Sequence, residues 1–418
     1  MQAHRAWVIV LLTLGPLVTS AKEEVTNMPD PRTAEASALM LSFAGRTGLD
    51  SDRPLRRYLW TDAFAVCNFL GLARASGEQH YTELALSLVN QVHHVLGRHR
   101  DDDTRGGWIS GLRAQEAEAH PTRGGLRIGK RLPERGEDEP FDERLEWERD
   151  GQYFHYLSKW VHALDQVSRS TGDPRFKLWA RELAATAHDA FTYLPGPGRT
   201  PRMYWKMSID LSRPLVPSMG QHDPLDGYLT AVQLRATPAR LPQPLDGPDL
   251  EEATRRFAEM TEGAELASPD PLGIGGLLFD AYRVAQLIEQ GAPVDEDLLE
   301  HLLAAARAGL EHYARSGELR APVEYRLAFR ELGLAIGLHA VERMQQAAGQ
   351  RRGGVGPGAR TALEALRRYV PLGEEIESFW RAPAHQRAGA WSEHEDINEV
   401  MLATRLAPDG FLVLAPPD

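Results

Sequence analysis

The same pattern occurs twice in this sequence, in LARASGEQHYTELALSLVNQVHHV (residues 72–95) and in VSRSTGDPRFKLWARELAATAHDA (residues 167–190). The two stretches align without a gap, so that Tyr81 matches Phe176. In each, a glycine ends one apolar helix and an acidic residue begins the next, which is ordinary chemistry for a C-cap followed by an N-cap. We therefore predict two copies of one helical hairpin.

Helical spacing continues along most of the chain. Leu84, Leu88, Val92 and Val95 recur every three or four residues, and about twelve segments share this rhythm. These segments are 34–44, 61–76, 79–97, 151–170, 174–191, 224–236, 249–262, 274–290, 295–315, 325–346, 360–370 and 394–405. We predict short strands only within 106–130. The fold class is therefore predicted to be all-α.

The helical segments are of two kinds. Some, such as 61–76 and 274–290, are apolar around most of the circumference, whereas others, such as 79–97 and 295–315, carry a charged face. A helix that is apolar all round is buried, and a striped helix lies outside it. Six inner and six outer helices that alternate along the chain predict a double-layered (α/α)6 toroid. An open HEAT-like array is the alternative, although it would need a more uniform repeat.

The sequence resembles the six-hairpin glycosidase-like (α/α)6 toroids in three features. These are the helix count, the junctions SGEQHY and TGDPRF, and acidic helix starts such as WTDAF and WERDGQY. That superfamily includes unsaturated glucuronyl hydrolases and N-acylglucosamine 2-epimerases. The resemblance implies one toroid domain over residues 22–418, with a short β-containing insertion at 98–149. It implies carbohydrate chemistry by analogy only. No complete catalytic motif of one family is matched, so no residue role follows from it.

The ends and the charge of the chain restrict its partners. The formal net charge is −12 without a basic block, which disfavours nucleic acid and anionic membrane surfaces. Residues 1–21 have the layout of a secretory signal peptide, with a basic start, an apolar run and small residues near Ser20. An uncleaved anchor is the alternative, but the run is shorter than the ~20 residues that span a bilayer. We expect a secreted or periplasmic protein without membrane contact after cleavage.

Four predicted inner helices begin in a similar style. The starts are WTDAF at 60–64, WERDGQYF at 147–154, HDPLDGY at 222–228 and WSEHEDIN at 391–398. In a toroid of alternating hairpins, all the inner N-termini emerge at the same mouth. Each start would bring a carboxylate together with an aromatic ring or an imidazole. Helix capping alone explains each acid separately, but it does not require the accompanying aromatic residues.

The mixture of acids and aromatic residues suits a glycan cleft, because sugar rings stack their apolar faces on aromatic rings and their hydroxyls bond carboxylates. The insertion 98–149 precedes WERDGQYF and is predicted to form a rim or lid, with a mobile surface loop as the alternative. The segment 202–228 is predicted to be an ordered loop. The predicted substrate-binding residues are Trp60, Trp108, Arg127, Trp147, Tyr153, His155, Tyr204, Trp205 and Trp391.

The leading functional hypothesis is a glycoside hydrolase that uses paired carboxylates at the toroid mouth to act on an oligo- or polysaccharide. Such an enzyme needs one acid to protonate the leaving oxygen and a second carboxylate to activate water. Asp150 is the predicted acid, because nearby aromatic residues would raise its pKa. Asp223 or Asp226 is the predicted base, with His222 orienting it. Asp62 is a further candidate carboxylate.

Two other classes of function stay open. A sugar epimerase or polysaccharide lyase would use His222, Tyr204 or His155 to move a carbon-bound proton, while Arg127 holds a carboxylate. A non-catalytic toroid would only bind a glycan or a protein. No cofactor or metal is predicted, because EHED at 393–396 lacks a second histidine at ligand spacing and GIGG at 273–276 follows no strand.

Overall fold

A computed structural model of the protein describes residues 30–236, 246–349 and 356–414. The helices of this part are α1 Pro31–Arg46, α2 Leu59–Ser76, α3 Gln79–Leu96, α4 Ala114–Ala119, α5 Glu143–Glu148, α6 Phe154–Thr171, α7 Pro174–Phe191, α8 Asp223–Arg235, α9 Glu251–Thr261, α10 Pro271–Glu289, α11 Glu296–Ser316, α12 Ala328–Gly349, α13 Pro357–Leu366, α14 Pro371–Arg381, α15 Pro383–Gln386, α16 Gly389–Ser392, α17 Glu395–Leu406 and α18 Asp409–Leu412. Three 3-10 turns lie at Glu318–Arg320, Val323–Tyr325 and Arg367–Tyr369. The strands are β1 Gln152–Tyr153, β2 Thr192–Tyr193, β3 Arg202–Met203, β4 Lys206–Met207 and β5 Pro214–Val216.

Six helices form a closed inner ring. Helices α2, α6, α8, α10, α12 and α17 contact one another in this order, and α17 returns to α2. Each inner helix is backed by an outer one: α3, α7, α9 and α11 back the first four, α13 and α14 back α12, and α1 backs α17. The last hairpin therefore joins the beginning and the end of the described chain. The ring confirms the predicted (α/α)6 toroid and excludes the open array.

Burial follows the predicted difference between inner and outer helices. In α2 every residue from Leu59 to Leu70 is buried, including Cys67, whereas in α3 burial recurs at one face. The junction glycines Gly77 and Gly172 adopt left-handed conformations, with φ of 74° and 71°, and end α2 and α6. Glycine reaches this region without a steric penalty. The repeated hairpin junction is thus confirmed.

Glycines also bring two inner helices into backbone contact. A Cβ atom on Gly275 of α10 would collide with the carbonyl oxygen of Gly333 on α12, and one on Gly337 would collide with Gly275. Only hydrogen at these positions lets the two helices approach so closely. Within the GIGG stretch at 273–276, Gly275 therefore serves helix packing.

The end of the described chain closes the far side of the ring. The Phe411 ring of α18 stacks between Phe64 and Phe279, at centroid distances of 4.2 and 4.5 Å. The Gln166 amide nitrogen donates to the carbonyl oxygens of Gly410 and Val413, at 2.8 and 2.7 Å. Helix α18 therefore forms a floor inside the toroid.

The insertion contains helices instead of the strands that the sequence predicts. Residues 106–130 form no strand, and α4 lies within this range. Glycines with positive φ, including Gly107, Gly125 and Gly129, interrupt any extended run. The strands lie further along the chain, where β1, β4 and β5 form an antiparallel sheet and β2 pairs with β3.

The predicted signal peptide at 1–21 lies outside the described residues. Within the described ranges, none of the helices has the length and hydropathy required to cross a bilayer.

Candidate active site

A cavity of about 330 Å³ opens where the N-terminal halves of the inner helices meet, as predicted. Every inner helix contributes to its wall, and the loops before α8 and α10 complete it. The polar and aromatic residues that line it are Trp60, Phe64, His155, Lys159, Trp205, Gln221, His222, Asp223, Asp226, Ser268, Asp270, Phe279, Asp280 and Phe411.

Asp223 stands at the first position of α8 and is 6 % exposed. Its carboxyl group caps no helix, and its Oδ2 packs against Gly220 without a hydrogen bond from any described residue. Burial, assisted by the charge of Asp226, raises the pKa of Asp223 to about 7. Asp223 therefore holds a proton at pH values where an ordinary aspartate has lost it.

Asp226 lies one helical turn further along α8 and has the opposite character. Its Oδ2 accepts hydrogen bonds from Ser158 and from Lys159, whose Nζ is 2.7 Å away, and its Oδ1 accepts from Arg283 at 3.0 Å. Burial alone would raise the pKa of Asp226, but the two cations outweigh burial and hold it well below the usual range. The site thus pairs a protonated carboxyl with an ionised one.

Arg283 connects Asp226 to a third acid. Its Nη1 also donates to Asp280 at 2.9 Å, and its Nε donates to the Gln233 amide oxygen at 3.1 Å. Burial raises the pKa of Asp280 even though Arg283 opposes the shift. This buried network fixes the Asp226 carboxylate relative to α6 and α10.

Two histidines line the cavity and differ in their hydrogen bonding. The Nδ1 of His155 lies 3.9 Å from Asp223 Oδ1 and has no hydrogen-bond partner among the described residues. Burial, with a contribution from Lys159, lowers the pKa of His155 to about 4, so the ring is neutral at pH 7. The Nε2 of His222 instead lies 2.8 Å from the Leu266 carbonyl oxygen. His222 therefore ties two loops together, and its predicted role of orienting the base has no support in this geometry.

Asp150, the predicted acid, does not line the cavity. Its carboxylate is fully buried; Oδ2 accepts from Arg127 at 2.9 Å, and Oδ1 accepts from the backbone nitrogen of Gly129 at 3.0 Å. The sequence did not indicate this position, because the insertion folds back and brings Arg127 to the acid. Asp150 is a structural anion that anchors the insertion to the toroid.

The other predicted residues divide into those at the cavity and those behind it. Trp60, His155 and Trp205 line the wall, and Tyr153 is buried behind Trp205 at a centroid distance of 5.0 Å. Trp147 is 45 % exposed and contacts Trp205 from outside.

Asp62 and four of the predicted binding residues make structural contacts away from the cavity. Asp62 is buried, accepts from the Tyr58 backbone nitrogen at 2.9 Å, and so closes the start of α2. Trp108, Tyr204 and Trp391 pack against Arg98, Tyr193 and Trp380 respectively, and Arg127 is the partner of Asp150. None of these five lines the described cavity.

The sequence reading missed Lys159, Asp270, Asp280 and Arg283. Asp280 and Arg283 interrupt LLFDAYRVA, a segment that is otherwise apolar around its circumference. A charge within such a helix must be buried with a partner, because an isolated ion is costly to desolvate. This signal was present in the sequence, although the identity of the partner was not.

We predict that Asp150→Asn destabilises the protein by roughly 1–3 kcal/mol, because the amide NH₂ faces donors that need acceptors. Activity per folded molecule should stay within about twofold, since the carboxylate lies away from the reacting groups. Urea unfolding and kcat, measured on the same preparation, check both parts. A loss of kcat of about 100-fold in a fully folded variant would return Asp150 to the catalytic site.

The comparisons with known proteins agree with this architecture. No protein-family model and no curated protein matches the sequence. The structure is similar to the GH76A alpha-1,6-mannanase of Salegentibacter sp. HEL1_6, with a TM-score of 0.51, 11% sequence identity, and coverage of 92% of this chain and 99% of that chain. An inactive variant of that mannanase, with two Asp-to-Asn changes and in complex with alpha-1,6-mannotriose, gives a TM-score of 0.50 at 12% identity, over 90% of this chain and 99% of that chain.

A third solved structure is more distant. Cellobiose 2-epimerase from Spirochaeta thermophila DSM 6192 gives a TM-score of 0.44 at 14% identity, over 81% of this chain and 84% of that chain. At these identities, the likeness to the mannanase concerns the fold alone. The chain therefore shares the (α/α)6 toroid fold with that mannanase.

Proposed function

We propose that this protein is a carbohydrate-active enzyme, and that its reaction is glycoside hydrolysis with Asp223 as the general acid. The observation that carries the proposal is the buried Asp223 carboxyl group, whose Oδ2 has no hydrogen-bond partner among the described residues, in a cavity lined by aromatic rings. Burial raises the pKa of this group to about 7. A general acid works best when its pKa lies near the working pH. The leaving glycosidic oxygen would take the Asp223 proton.

The second carboxylate of the proposed reaction is Asp270. It lines the cavity, its Oδ1 pairs with Arg330 at 2.7 Å, and its Oδ2 caps α10 through the Gly273 nitrogen at 3.1 Å. Each oxygen keeps a lone pair that a water molecule could use. Asp226 is a poorer base because Ser158, Lys159 and Arg283 occupy its oxygens. Its charge instead helps to keep Asp223 protonated.

The comparison with the mannanase supports the substrate class and leaves the linkage open. The mannanase variant that binds alpha-1,6-mannotriose has this fold, which supports an oligosaccharide as the ligand of the present cavity. The two aspartates changed in that variant are consecutive in its sequence, whereas Asp223 and Asp270 lie at the starts of α8 and α10. We therefore propose a glycan substrate without assigning its sugar or its linkage.

Epimerisation is the second candidate, and His155 is the observation that favours it. A neutral imidazole can remove a carbon-bound proton, and the unpartnered Nδ1 of His155 lies 3.9 Å from the protonated Asp223. Product analysis by NMR separates the reactions. Hydrolysis gives a new reducing end, epimerisation gives an inverted centre, and elimination gives an unsaturated ring.

Asp270→Asn is expected to lower kcat by at least about tenfold, because the amide cannot accept a proton from water. The α10 cap should survive, since asparagine caps a helix about as well as aspartate. Steady-state kinetics on a glycan that the wild type cleaves, together with circular dichroism, provide the test. Unchanged kcat in a folded variant would remove Asp270 from the mechanism and leave Asp226 as the base.

The raised pKa of Asp223 also predicts how stability depends on pH. Between pH about 4 and pH about 7 the folded protein keeps a proton that the unfolded chain releases, so this group's contribution to stability falls as pH rises. Asp223→Asn removes that dependence. The free energy of unfolding of the variant relative to wild type should therefore rise by about 1.4 kcal/mol per pH unit in this window. Urea titrations of both proteins at several pH values provide the measurement. A difference in the free energy of unfolding that did not change with pH would contradict the raised pKa of Asp223.

A further inference from the structure

Two tryptophans continue the wall of the cavity to the outer surface. Trp205 lies between β3 and β4 and lines the cavity, and Trp147 on α5 packs against it at a centroid distance of 4.9 Å and an interplanar angle of 74°. Trp147 is 45 % exposed, although tryptophan carries a large apolar surface. The pair forms an aromatic surface that begins inside the cavity and ends in solvent.

A buried ion pair holds the two tryptophans together. Their sequence neighbours, Glu146 and Lys206, are both buried, and Lys206 Nζ lies 2.9 Å from Glu146 Oε1. The same Nζ donates to the carbonyl oxygens of Glu146 and Arg149, at 2.7 and 2.9 Å. Arg135 Nε donates to the other carboxylate oxygen of Glu146 at 3.0 Å, so two cations hold this acid. Helix α5 is therefore fixed to the rim, and Trp147 is held exposed instead of folding inward.

The surroundings of Trp147 are acidic. Residues 134–149 contain eight aspartates and glutamates and three arginines, and Lys130 and Lys206 donate to oxygens of residues 146–149, so this group keeps an excess of three negative charges. Glu148, directly after Trp147, is exposed. A uronate or sulfated sugar would be repelled here, whereas a neutral sugar would not. The charge of the rim thus separates neutral glycans from anionic ones.

The size of the cavity makes an outer contact necessary for a longer ligand. Its volume of about 330 Å³ is near the lower end of the roughly 300–1,000 Å³ of ligand sites. A glycan of several units must therefore leave the cavity and cross the rim. The aromatic surface of Trp205 and Trp147 lies on such an exit.

We propose that Trp147 and Trp205 form an outer subsite, which stacks a further sugar unit of a neutral glycan whose first unit occupies the cavity. This inference rests on the proposed function, because it assumes that the cavity binds a sugar. It adds two properties: preference for a chain of three or more units, and discrimination against anionic sugars. Trp147 would contribute to binding and not to the chemical step, since it lies outside the cavity that holds Asp223.

The test is binding to an array of neutral and anionic glycans of one to six units, with titration calorimetry on the best neutral glycan. Every protein also carries Asp223→Asn, so that bound glycans are not consumed. Trp147→Ala should weaken binding of glycans with three or more units by at least about tenfold, as expected from losing one stacked ring face. Binding of single units should weaken by less than about threefold. Trp147→Phe should restore most of the affinity for long glycans.

Phe141→Ala is the matched control, because Phe141 is an exposed aromatic residue of the same insertion that faces Arg135 instead of Trp205. It should bind like the parent protein. Three results would each overturn the outer subsite. The first is an equal loss of affinity for short and long glycans in Trp147→Ala, and the second is the same loss of affinity in Phe141→Ala. The third is a preference of the parent protein for anionic glycans. Absence of binding to every glycan on the array would instead contradict the proposed function itself.

Discussion

Asp223→Asn is expected to lower turnover by about 10²–10⁴-fold while the protein stays folded. The amide has nearly the shape of the protonated carboxyl group, so packing against Gly220 is preserved. It has no proton to give to a leaving oxygen. Because Asp223 is uncharged over much of the neutral range, the substitution also leaves the charge of the cavity almost unchanged. The measurement is kcat/KM on a glycan that the wild type cleaves, with circular dichroism as the check on folding.

Asp173→Asn is the matched control for this loss. Asp173 caps α7 by accepting from the Arg175 nitrogen at 2.9 Å, and asparagine replaces aspartate well at such a position. Its activity should equal that of wild type. The alkaline limb of kcat/KM in the wild type should fall with a midpoint at about pH 7, since rising pH removes the Asp223 proton. Full activity in a folded Asp223→Asn variant would exclude general acid catalysis by this residue.

Arg283→Met should destabilise the protein by roughly 3–5 kcal/mol, which is the usual cost of removing one partner from a buried ion pair. Arg283 is 1% exposed and contacts Asp226, Asp280, Gln233 and Thr230. Without it Asp280 has no cation within ion-pair distance among the described residues, whereas Asp226 keeps Lys159. The unfolding midpoint in urea at pH 7 measures the effect.

The sign of the pH dependence identifies the cause of this destabilisation. Loss of Arg283 raises the pKa of the carboxylates that it faces, so the variant should recover stability as pH falls and Asp280 takes up a proton. Adding Asp280→Asn should recover part of the loss at pH 7. The control is Arg255→Met on α9, whose ion pairs with Glu252 and Glu259 are exposed and therefore contribute little to stability. Equal effects of the two arginine substitutions would show that the buried network contributes nothing specific.

The architecture was predictable because its signals are local. The glycines Gly77 and Gly172 mark helix ends through their own backbone preference, and apolar spacing separates inner from outer helices. The pairing of α1 with α17 follows once six hairpins must close a ring. By contrast, the strands were misplaced, because β1 and β4 come from segments more than fifty residues apart and pair only in the folded chain.

The site was predictable only in part. Helix starts pointed to the mouth of the toroid, because the direction of each inner helix fixes where its N-terminus lies. Asp223 lines the cavity there, although the sequence suggested it as the base and the proposal makes it the acid. The sequence did not reveal that Asp150 lies away from the cavity, because its environment depends on Arg127, a residue of the insertion whose course could not be predicted. The same limit hid Lys159 and Arg283, since their roles arise from Asp226 on a different helix.

The protonation state of Asp223 is the most direct test of the proposed mechanism, and it requires no knowledge of the substrate. Carbon-13 NMR of protein labelled at the aspartate carboxyl groups, with Asp223→Asn used to assign the resonance, gives the titration midpoint of this residue. A midpoint at about 7 is predicted, because burial and Asp226 both oppose ionisation. A midpoint near the ordinary aspartate value of about 4 would contradict the assignment of Asp223 as the general acid.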